Sequence, residues 1–272
     1  MTIWGMGQAP SDLNMSKEKF MNYVKSCLII TMLLGVQIGY SQCDANGDGD
    51  LNIQDIVIEV NCILTDCWEG GSDTTDVCVD IDGNVYETIQ IGEQLWMAEN
   101  LKVTHYNNED EIAYPGNEDF GSFDEGQYGE YDNDSTFADI YGNLYNFAAV
   151  DDDRGVCPDG WHVPTDTEYT VLTDYLDGTS VAGGKMKETG LDHWNSPNTG
   201  ATNESGFTGL PAGYRSSTNG AYGNMGNYGY FWSSSDGNSG YAWSRRLYSN
   251  YSYVYRYSNY EQNGFSIRCL RD

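Results

Sequence analysis

Six oxygen-bearing side chains recur between residues 44 and 55 with the spacing of a calcium-binding loop. In order they are Asp44, Asn46, Asp48, Asp50, Asn52 and Asp55. Loops of this kind take ligands from positions 1, 3, 5, 7, 9 and 12, with a glycine at position 6, which is Gly49 in this chain. A hard cation prefers such an all-oxygen shell. The spacing therefore predicts a calcium site; the alternative is a solvated acidic turn.

The residues after this loop must form the element that holds it. Apolar side chains at Ile56, Val57, Val60, Ile63 and Leu64 fall at helical spacing, so we expect an amphipathic helix directly after the loop. This loop–helix unit resembles a dockerin repeat, a module whose partners are cohesins. Dockerins carry two repeats, and only one convincing copy occurs in this chain. The resemblance therefore implies calcium binding and does not support a cohesin partner.

Charge narrows the class of partner. The chain of 272 residues has 41 acidic and 13 basic residues, a net charge of −28 and a pI near 4.1. Such a surface repels phosphate backbones and anionic lipid, so we expect no binding to nucleic acid or to a membrane surface. The balance favours divalent cations and neutral polymers. Candidate partners are therefore an extracellular polysaccharide or a surface protein.

Residues 1–42 are predicted to be a secretory signal peptide. Three lysines between residues 17 and 25 precede the apolar run 27–39, which is too short for a comfortable membrane span. Cleavage is expected near Ser41, which would leave no transmembrane segment. The protein would then be secreted or lie on a bacterial cell surface; a lipid anchor on Cys43 is the alternative.

The exported chain would keep six cysteines, an even number that predicts disulfides. Four precede residue 80, and their pairing stays open: Cys43, Cys62, Cys67 and Cys78. The other two, Cys157 and Cys269, are predicted to pair with each other. A loop of this length contributes about 4–5 kcal/mol on the chain-entropy model of disulfide stabilisation.

Composition divides the exported chain into three segments. Residues 43–68 hold the calcium loop and its helix, residues 69–77 form a linker, and residues 78–272 form a larger domain of strands and aromatic loops. Within the large domain, a helix must begin after Pro164, and Thr165 with Glu168 form a capping box. Three apolar side chains one turn apart predict that this helix packs inward: Tyr169, Leu172 and Leu176.

Alternating and turn-forming residues predict the other elements of the large domain. Asp82-Gly83 is expected to form a primed hairpin turn, Trp96, Met97 and Leu101 to be core, and residues 181–188 to form a second helix. Residues 189–240 are interpreted as a long turn-rich excursion. Three strands are expected near the C-terminus: Tyr241–Tyr248, Tyr251–Tyr257 and Gly264–Cys269. Alternate tyrosines of the middle strand share a face and either stabilise the sheet or form a ligand platform.

Six ordered motifs in the large domain carry a second resemblance. They are Asp82-Gly83-Asn84 with Trp96-Met97-Ala98-Glu99-Asn100-Leu101, Tyr141-Gly142-Asn143-Leu144-Tyr145-Asn146, Cys157-Pro158-Asp159-Gly160-Trp161-His162-Val163-Pro164-Thr165, Gly213-Tyr214-Arg215, Trp232-Ser233-Ser234, and Gly264-Phe265-Ser266-Ile267-Arg268-Cys269. This set resembles the Fibrobacter succinogenes major paralogous domain over about residues 79–272.

The resemblance implies a fold. That family and the formylglycine-generating-enzyme-like group resemble the C-type lectin-like fold. The expected class is α+β, with short antiparallel sheets, one or two helices and long loops, beside a small calcium loop–helix module. In that fold a cysteine near a helix pairs with one on the last strand, which agrees with Cys157 and Cys269. The loops often bind ligand, and residues 189–240 are their counterpart.

Catalytic chemistry is not indicated. No nucleophile elbow, zinc spacing or phosphate-binding loop occurs in the sequence, and His162 between Trp161 and Val163 is interpreted as structural. Formylglycine-generating enzymes work through a C-terminal cysteine pair, and this chain has only Cys269 there. The lectin triplets that hold calcium are also absent. Candidate ligand contacts are six side chains of the loop region: Trp194, Tyr214, Arg215, Tyr222, Trp232 and Trp243.

Three hypotheses for function remain open at this point. The first is an exported, non-catalytic binding protein for polysaccharide or protein, stabilised by calcium in its N-terminal module. The second is a structural, adhesin-like display scaffold without a small ligand. The third is a component of polysaccharide degradation, which a dockerin-like repeat suggests by association.

Overall fold

The computed structural model describes residues 78–116 and 120–272. These residues fall within one unit, Asp76–Asp272. The predicted signal peptide, calcium loop, loop helix and linker lie outside the described residues, as do the cysteines that precede Cys78. Everything below therefore concerns the large domain.

Within the described residues, thirteen short strands form five antiparallel sheets. In chain order the strands are β1 (Cys78–Val79), β2 (Val85–Tyr86), β3 (Thr88–Ile91), β4 (Gln94–Met97), β5 (Tyr128–Gly129), β6 (Leu144–Tyr145), β7 (Trp161–His162), β8 (Tyr214–Arg215), β9 (Tyr222–Gly223), β10 (Tyr228–Asp236), β11 (Tyr241–Tyr248), β12 (Tyr255–Tyr260) and β13 (Leu270–Arg271). The larger sheets have the orders β3-β4-β13-β7 and β10-β11-β12.

Four α-helices and a 3₁₀ turn complete the described part of the chain. They are the 3₁₀ turn Tyr131–Asn133, α1 (Ser135–Tyr141), α2 (Phe147–Val150), α3 (Asp166–Tyr175) and α4 (Thr179–Met186). None of these described helices is long and apolar enough to cross a membrane. Few helices and small antiparallel sheets are consistent with the predicted α+β class.

The capped helix and the long disulfide are both confirmed. Thr165 Oγ1 accepts a hydrogen bond from the Glu168 amide at 3.2 Å, and the Glu168 carboxylate accepts one from the Thr165 amide at 2.7 Å. Helix α3 therefore starts with a complete capping box. Cys157 pairs with Cys269 across 112 residues, and Cys78 is buried without a disulfide partner among the described residues. The disulfide joins the segment before α3 to the segment that enters β13.

The predicted core residues lie where expected. Trp96, Met97 and Leu101 are completely buried. Beside them the guanidinium of Arg268, also completely buried, donates hydrogen bonds to Asn100 Oδ1 and to the carbonyl oxygens of Met97, Phe207 and Thr208. Burial lowers the pKa of Arg268 to about 9. Arg268 therefore links residues 97–100 to residues 207–208, two segments between which the described strands form no pairing.

The primed hairpin turn predicted at Asp82-Gly83 is wrong. Strands β1 and β2 pair through Val79 and Val85, so five residues separate them. The Gly83 amide donates to the Asp80 carbonyl at 2.9 Å, and of the residues in this turn only Gly83 has a positive φ, 81°. A primed turn centred on Asp82-Gly83 needs positive φ at Asp82, the first central residue, and a type I′ turn needs it at both. The Asp80 side chain decides the geometry, since its carboxylate accepts from the amides of Asp82 and Asn84.

Three features near the C-terminus also differ from the prediction. The excursion predicted over residues 189–240 ends earlier, because β10 is a nine-residue strand. The middle strand begins at Tyr255 rather than Tyr251, since the preceding residues pack against α4 instead of β11. The last predicted strand is reduced to single bridges at Gly264, Phe265 and Ser266, followed by β13.

Candidate binding surface

Strands β10, β11 and β12 bring tyrosines together on one face of their sheet. Tyr228 pairs with Tyr248 between β10 and β11, and Arg246 is flanked by Tyr230 on one side and Tyr255 on the other. Residues opposite each other in an antiparallel register present their side chains to the same face. This register therefore produces a row of aromatic rings with one arginine among them.

Seven tyrosines, called the tyrosine surface below, are at least partly exposed and connected by ring contacts. They are Tyr214, Tyr228, Tyr248, Tyr251, Tyr253, Tyr255 and Tyr257. Ring centroids lie 4.5 Å apart for Tyr228 and Tyr248, 4.7 Å for Tyr248 and Tyr255, and 5.9 Å for Tyr255 and Tyr257. Tyr251 and Tyr253 are 45% and 46% exposed. Clustered exposed aromatic side chains on a soluble domain mark a site of interaction more often than single ones do.

Arg246 is the cation of this surface. Its guanidinium carbon lies 4.3 Å from the ring centroid of Tyr230 and 4.6 Å from that of Tyr257. One terminal nitrogen donates to Tyr248 Oη at 3.2 Å and the other to Asn259 Oδ1 at 3.3 Å. Cation–π contacts of this kind keep the guanidinium in place without a carboxylate.

Helix α4 holds the tyrosines that precede β12. The Gly184 amide donates to the Ser252 carbonyl at 3.0 Å, and Gly183 lies against the Tyr253 carbonyl so closely that a Cβ would collide with it. The two glycines, unusual in a helix because each costs about 1 kcal/mol, therefore permit a close approach of backbone to backbone. This contact explains why residues 251–254 leave the sheet.

Lys187, the first residue after α4, anchors the backbone of the same region by hydrogen bonds. Its completely buried ammonium group donates to the carbonyl oxygens of Thr199, Tyr248 and Tyr251 at 3.0, 2.8 and 2.9 Å. Burial lowers the pKa of Lys187 to about 8. Lys187 therefore links the end of β11 to the tyrosines before β12 through a group that can lose its charge near neutral pH.

The opposite end of the sheet borders an acidic cavity. The cavity of 320 Å³ is lined by Phe123, Phe147, Asp151, Asp236 and Glu261, among others. Burial, and after it the charge of Asp236, raises the pKa of both Asp151 and Glu261. Within the described residues, no group of three or more His, Cys, Asp or Glu side chains is arranged to hold a metal ion. The cavity is therefore acidic without forming a metal site.

The structure disperses the candidate ligand contacts predicted from the sequence, and three of them are buried. Trp194, Arg215 and Trp232 are at most 1% exposed, so they belong to the core. Trp243 lies on the other face of the sheet, covered by Arg256 at 3.3 Å. Tyr214 alone of these candidates belongs to the tyrosine surface, and its ring centroid lies 5.4 Å from that of buried Tyr230, which also contacts Tyr228.

Tyr222 and His162, the other two side chains considered in the sequence, also have structural contacts. The Tyr222 hydroxyl donates to Asn133 Oδ1 at 3.0 Å. His162 Nδ1 lies 2.6 Å from Asp272 Oδ1, and Nε2 lies 3.1 Å from Glu168 Oε1. Since Glu168 also belongs to the capping box, His162 connects the start of α3 to the C-terminal residue.

Arg246 and Lys187 are the contributors that sequence reasoning missed. Alternation in β10 and β11 could have placed Arg246 on the face of Tyr248, since the two residues are two positions apart. Nothing local distinguishes Lys187 from Lys185, which pairs with Asp177 on the surface at 2.6 Å. Only the packing of α4 against residues 248–252 makes Lys187 a buried donor.

The described part of the chain has small antiparallel sheets, few helices and an exposed aromatic face, which is consistent with the α+β class. The family comparison refines this class, because the model of the Fibrobacter succinogenes major domain matches residues 89–271. The chain therefore belongs to that family. Searches of curated proteins and of solved structures find no match for this chain.

Proposed function

We propose that this protein is an exported, non-catalytic binding protein that attaches to extracellular polysaccharide through the tyrosine surface. The observation that carries this proposal is the continuous set of exposed rings on a sheet and a helix-anchored segment. Sugar rings have apolar C–H faces that pack on aromatic rings, while hydroxyl groups at their edges bond to polar groups such as the tyrosine Oη atoms. Several rings in a row suit a polymer better than a single sugar.

The rigidity of the surface supports a binding role. Tyrosine loses little conformational entropy on binding because it has few rotatable bonds, and strands hold the side chains more firmly than loops would. Lys187, Gly183 and Gly184 hold the backbone of the tyrosines that lie outside β12. A preorganised surface of this kind binds without first having to be ordered.

The other parts of the proposal rest on sequence patterns. A C-type lectin-like architecture for the large domain is supported by the ordered motifs and by the Cys157–Cys269 disulfide. Calcium stabilisation of residues 43–68 is supported by ligand spacing alone. If Asp48 is a ligand, calcium removal and Asp48→Ala should each lower the unfolding temperature of this segment. Unfolding that is identical with and without chelator would contradict the calcium proposal.

The test of polysaccharide binding compares two exposed tyrosines of the same chain. Tyr253 lies in the tyrosine surface, whereas Tyr260, 54% exposed, lies at the far end of the same sheet region and contacts Tyr241. The full chain is passed through affinity gels that contain neutral and charged polysaccharides. Tyr253→Ala should weaken retention about tenfold, in line with the loss of an aromatic binding contact, and Tyr260→Ala should leave it unchanged.

Two outcomes would count against the proposal. If no polysaccharide in a broad panel retards the wild-type chain, the result favours the display-scaffold hypothesis. If Tyr253→Ala and Tyr260→Ala bind as wild type does, a site other than the tyrosine surface carries the binding. Release of reducing sugar by the wild-type chain would instead favour the degradation hypothesis.

A further inference from the structure

Charge is distributed unevenly along this acidic chain. Residues 205–260 contain four arginines and a single acidic residue, Asp236, in a protein whose net charge is −28. The same stretch contains eleven of the 22 tyrosines. The tyrosine surface is thus built from the part of the sequence in which the charge balance is reversed.

Three of the four arginines are held by contacts within the domain. Arg215 is 1% exposed and lies over the ring of Phe120. Arg245 and Arg256 both pair with the Asp166 carboxylate, at 2.6 and 2.8 Å. These three arginines therefore stabilise the fold and do not contribute a free charge to the tyrosine surface.

Arg246 differs from Arg245 and Arg256 because no ion pair among the described residues involves it, and from Arg215 because it is partly exposed. A guanidinium has five N–H donors, and those of Arg246 have two acceptors, Tyr248 Oη and Asn259 Oδ1. The Nε donor is buried without an acceptor. Each terminal nitrogen keeps a second N–H beside partly exposed tyrosine rings.

The net charge of the protein does not prevent an anion from binding here. At physiological ionic strength, charges more than about 8 Å apart in solvent are largely screened, so the nearest charge decides. Among the residues of the tyrosine surface and those that contact it, Arg246 is the charged group at the face itself. Repulsion by distant carboxylates remains strongest for a dense polyanion such as a nucleic acid, and weaker for a polymer with one carboxylate per sugar.

We propose that the tyrosine surface selects acidic polysaccharides, with Arg246 bonding a sugar carboxylate while the tyrosine rings pack against the sugar faces. This inference rests on the proposed function and names the class of polysaccharide. It replaces the expectation of a neutral polymer, which followed from net charge alone. A charge-assisted bond from a guanidinium to a carboxylate is about twice as strong as a neutral one, so it can decide between otherwise similar polymers.

The experiment uses polygalacturonate and its methyl ester, which share a backbone and differ in charge. Affinity of the full chain for each is measured by calorimetry. Polygalacturonate should bind about tenfold more tightly than the ester, and this preference should shrink as salt is raised. Arg246→Gln should abolish the preference, Arg246→Lys should retain part of it, and Arg256→Gln, which removes a charge already paired with Asp166, should leave it intact.

Failure of this inference is distinguishable from failure of the proposed function. Equal binding of polygalacturonate and its ester, both weakened by Tyr253→Ala, would overturn acidic selectivity and leave polysaccharide binding in place. A preference that survives in Arg246→Gln would also overturn it. Binding of neutral polymers alone would also overturn acidic selectivity. If Arg246→Gln fails to fold, the Arg246→Lys variant and the salt dependence still decide.

Discussion

The two ends of the β10-β11-β12 sheet have opposite chemistry although the same strands form both. At one end Tyr228, Tyr248 and Tyr255 lie beside Arg246, and Lys187 donates a hydrogen bond to the Tyr248 carbonyl. At the other end β10 finishes at Asp236, which lines the acidic cavity with Asp151 and Glu261. One end collects aromatic rings and a cation, and the other collects carboxylates, of which Asp151 and Glu261 have a raised pKa.

The difference shows how a strongly acidic protein can separate two kinds of surface. At the tyrosine end, buried Lys187 bonds to carbonyl oxygens and half-buried Arg246 stacks on rings, so no carboxylate is needed nearby. At the acidic end, like charges stay close together at a cost to stability. The first end is consequently organised for binding, and the second is a place where the fold tolerates repulsion.

The largest effect is expected from Lys187→Met, which should disrupt the tyrosine end alone. The substitution leaves the carbonyl oxygens of Thr199, Tyr248 and Tyr251 without their donor. An unsatisfied buried acceptor costs about 1–3 kcal/mol, so the free energy of unfolding should fall by about 3 kcal/mol in all. Denaturant unfolding measures the loss, and amide exchange should accelerate near Tyr251 before it does at the acidic end.

Lys185→Met is the matched control, since Lys185 lies in the last turn of α4, two residues before Lys187, and pairs with exposed Asp177. A surface ion pair contributes about 0–1 kcal/mol, so this variant should unfold almost as wild type does. Equal losses for the two lysine variants would mean that Lys187 has no special role in holding the tyrosine end.

A smaller effect is expected from pH, again at the tyrosine end. The pKa of Lys187 falls from 10.5 to about 8 on folding because burial disfavours its charge. Between these values the unfolded chain binds more protons than the folded one, so the free energy of unfolding should rise with pH. The slope cannot exceed about 1.4 kcal/mol per pH unit. Unfolding at pH values between about 7.5 and 9.5 should show the rise in wild type and not in Lys187→Met.

The smallest effect is expected at the acidic end, from Asp236→Asn. The charge of Asp236 is the second cause, after burial, of the raised pKa of Asp151 and Glu261. A raised carboxyl pKa means that stability falls as pH rises through the interval between the unfolded and folded values. Asp236→Asn should reduce this fall and add about 0.5 kcal/mol at neutral pH, the size typical of exposed charge pairs.

Asp159→Asn provides the control, since it removes the same charge from an exposed turn that does not line the acidic cavity. Urea unfolding of both variants at neutral and acidic pH separates local repulsion from the general effect of net charge. An equal gain in the two variants would show that the carboxylates of the acidic cavity do not repel one another measurably.

Several features of the fold follow from the sequence alone because short-range chemistry decides them. Pro164, Thr165 and Glu168 determine where α3 begins, since proline ends what precedes it and the capping box needs residues three positions apart. The pairing of Cys157 with Cys269 follows from the separation of the cysteines into two groups. The six ordered motifs led to the family that the comparison identifies.

The binding surface could not be predicted from the sequence, because contacts between distant segments form it. Tyrosines of β12 were recognised as sharing a face, but their extension across Tyr228 and Tyr248 needed the strand register. The burial of Trp194 and Trp232, which removes them as ligand contacts, is likewise a matter of packing. Exposure is a property of the whole molecule, and a residue's type and spacing do not specify which face another segment will cover.

Lys187 and Arg246 show most clearly why prediction from sequence stops where it does. In the sequence each is a basic residue within two positions of another basic residue, Lys185 or Arg245. Tertiary structure buries Lys187 against three carbonyl oxygens and pairs Arg245 with Asp166, while Arg246 keeps only aromatic and neutral neighbours. Sequence determines that these charges exist; desolvation and the choice of partner, which only the folded chain decides, determine what they do.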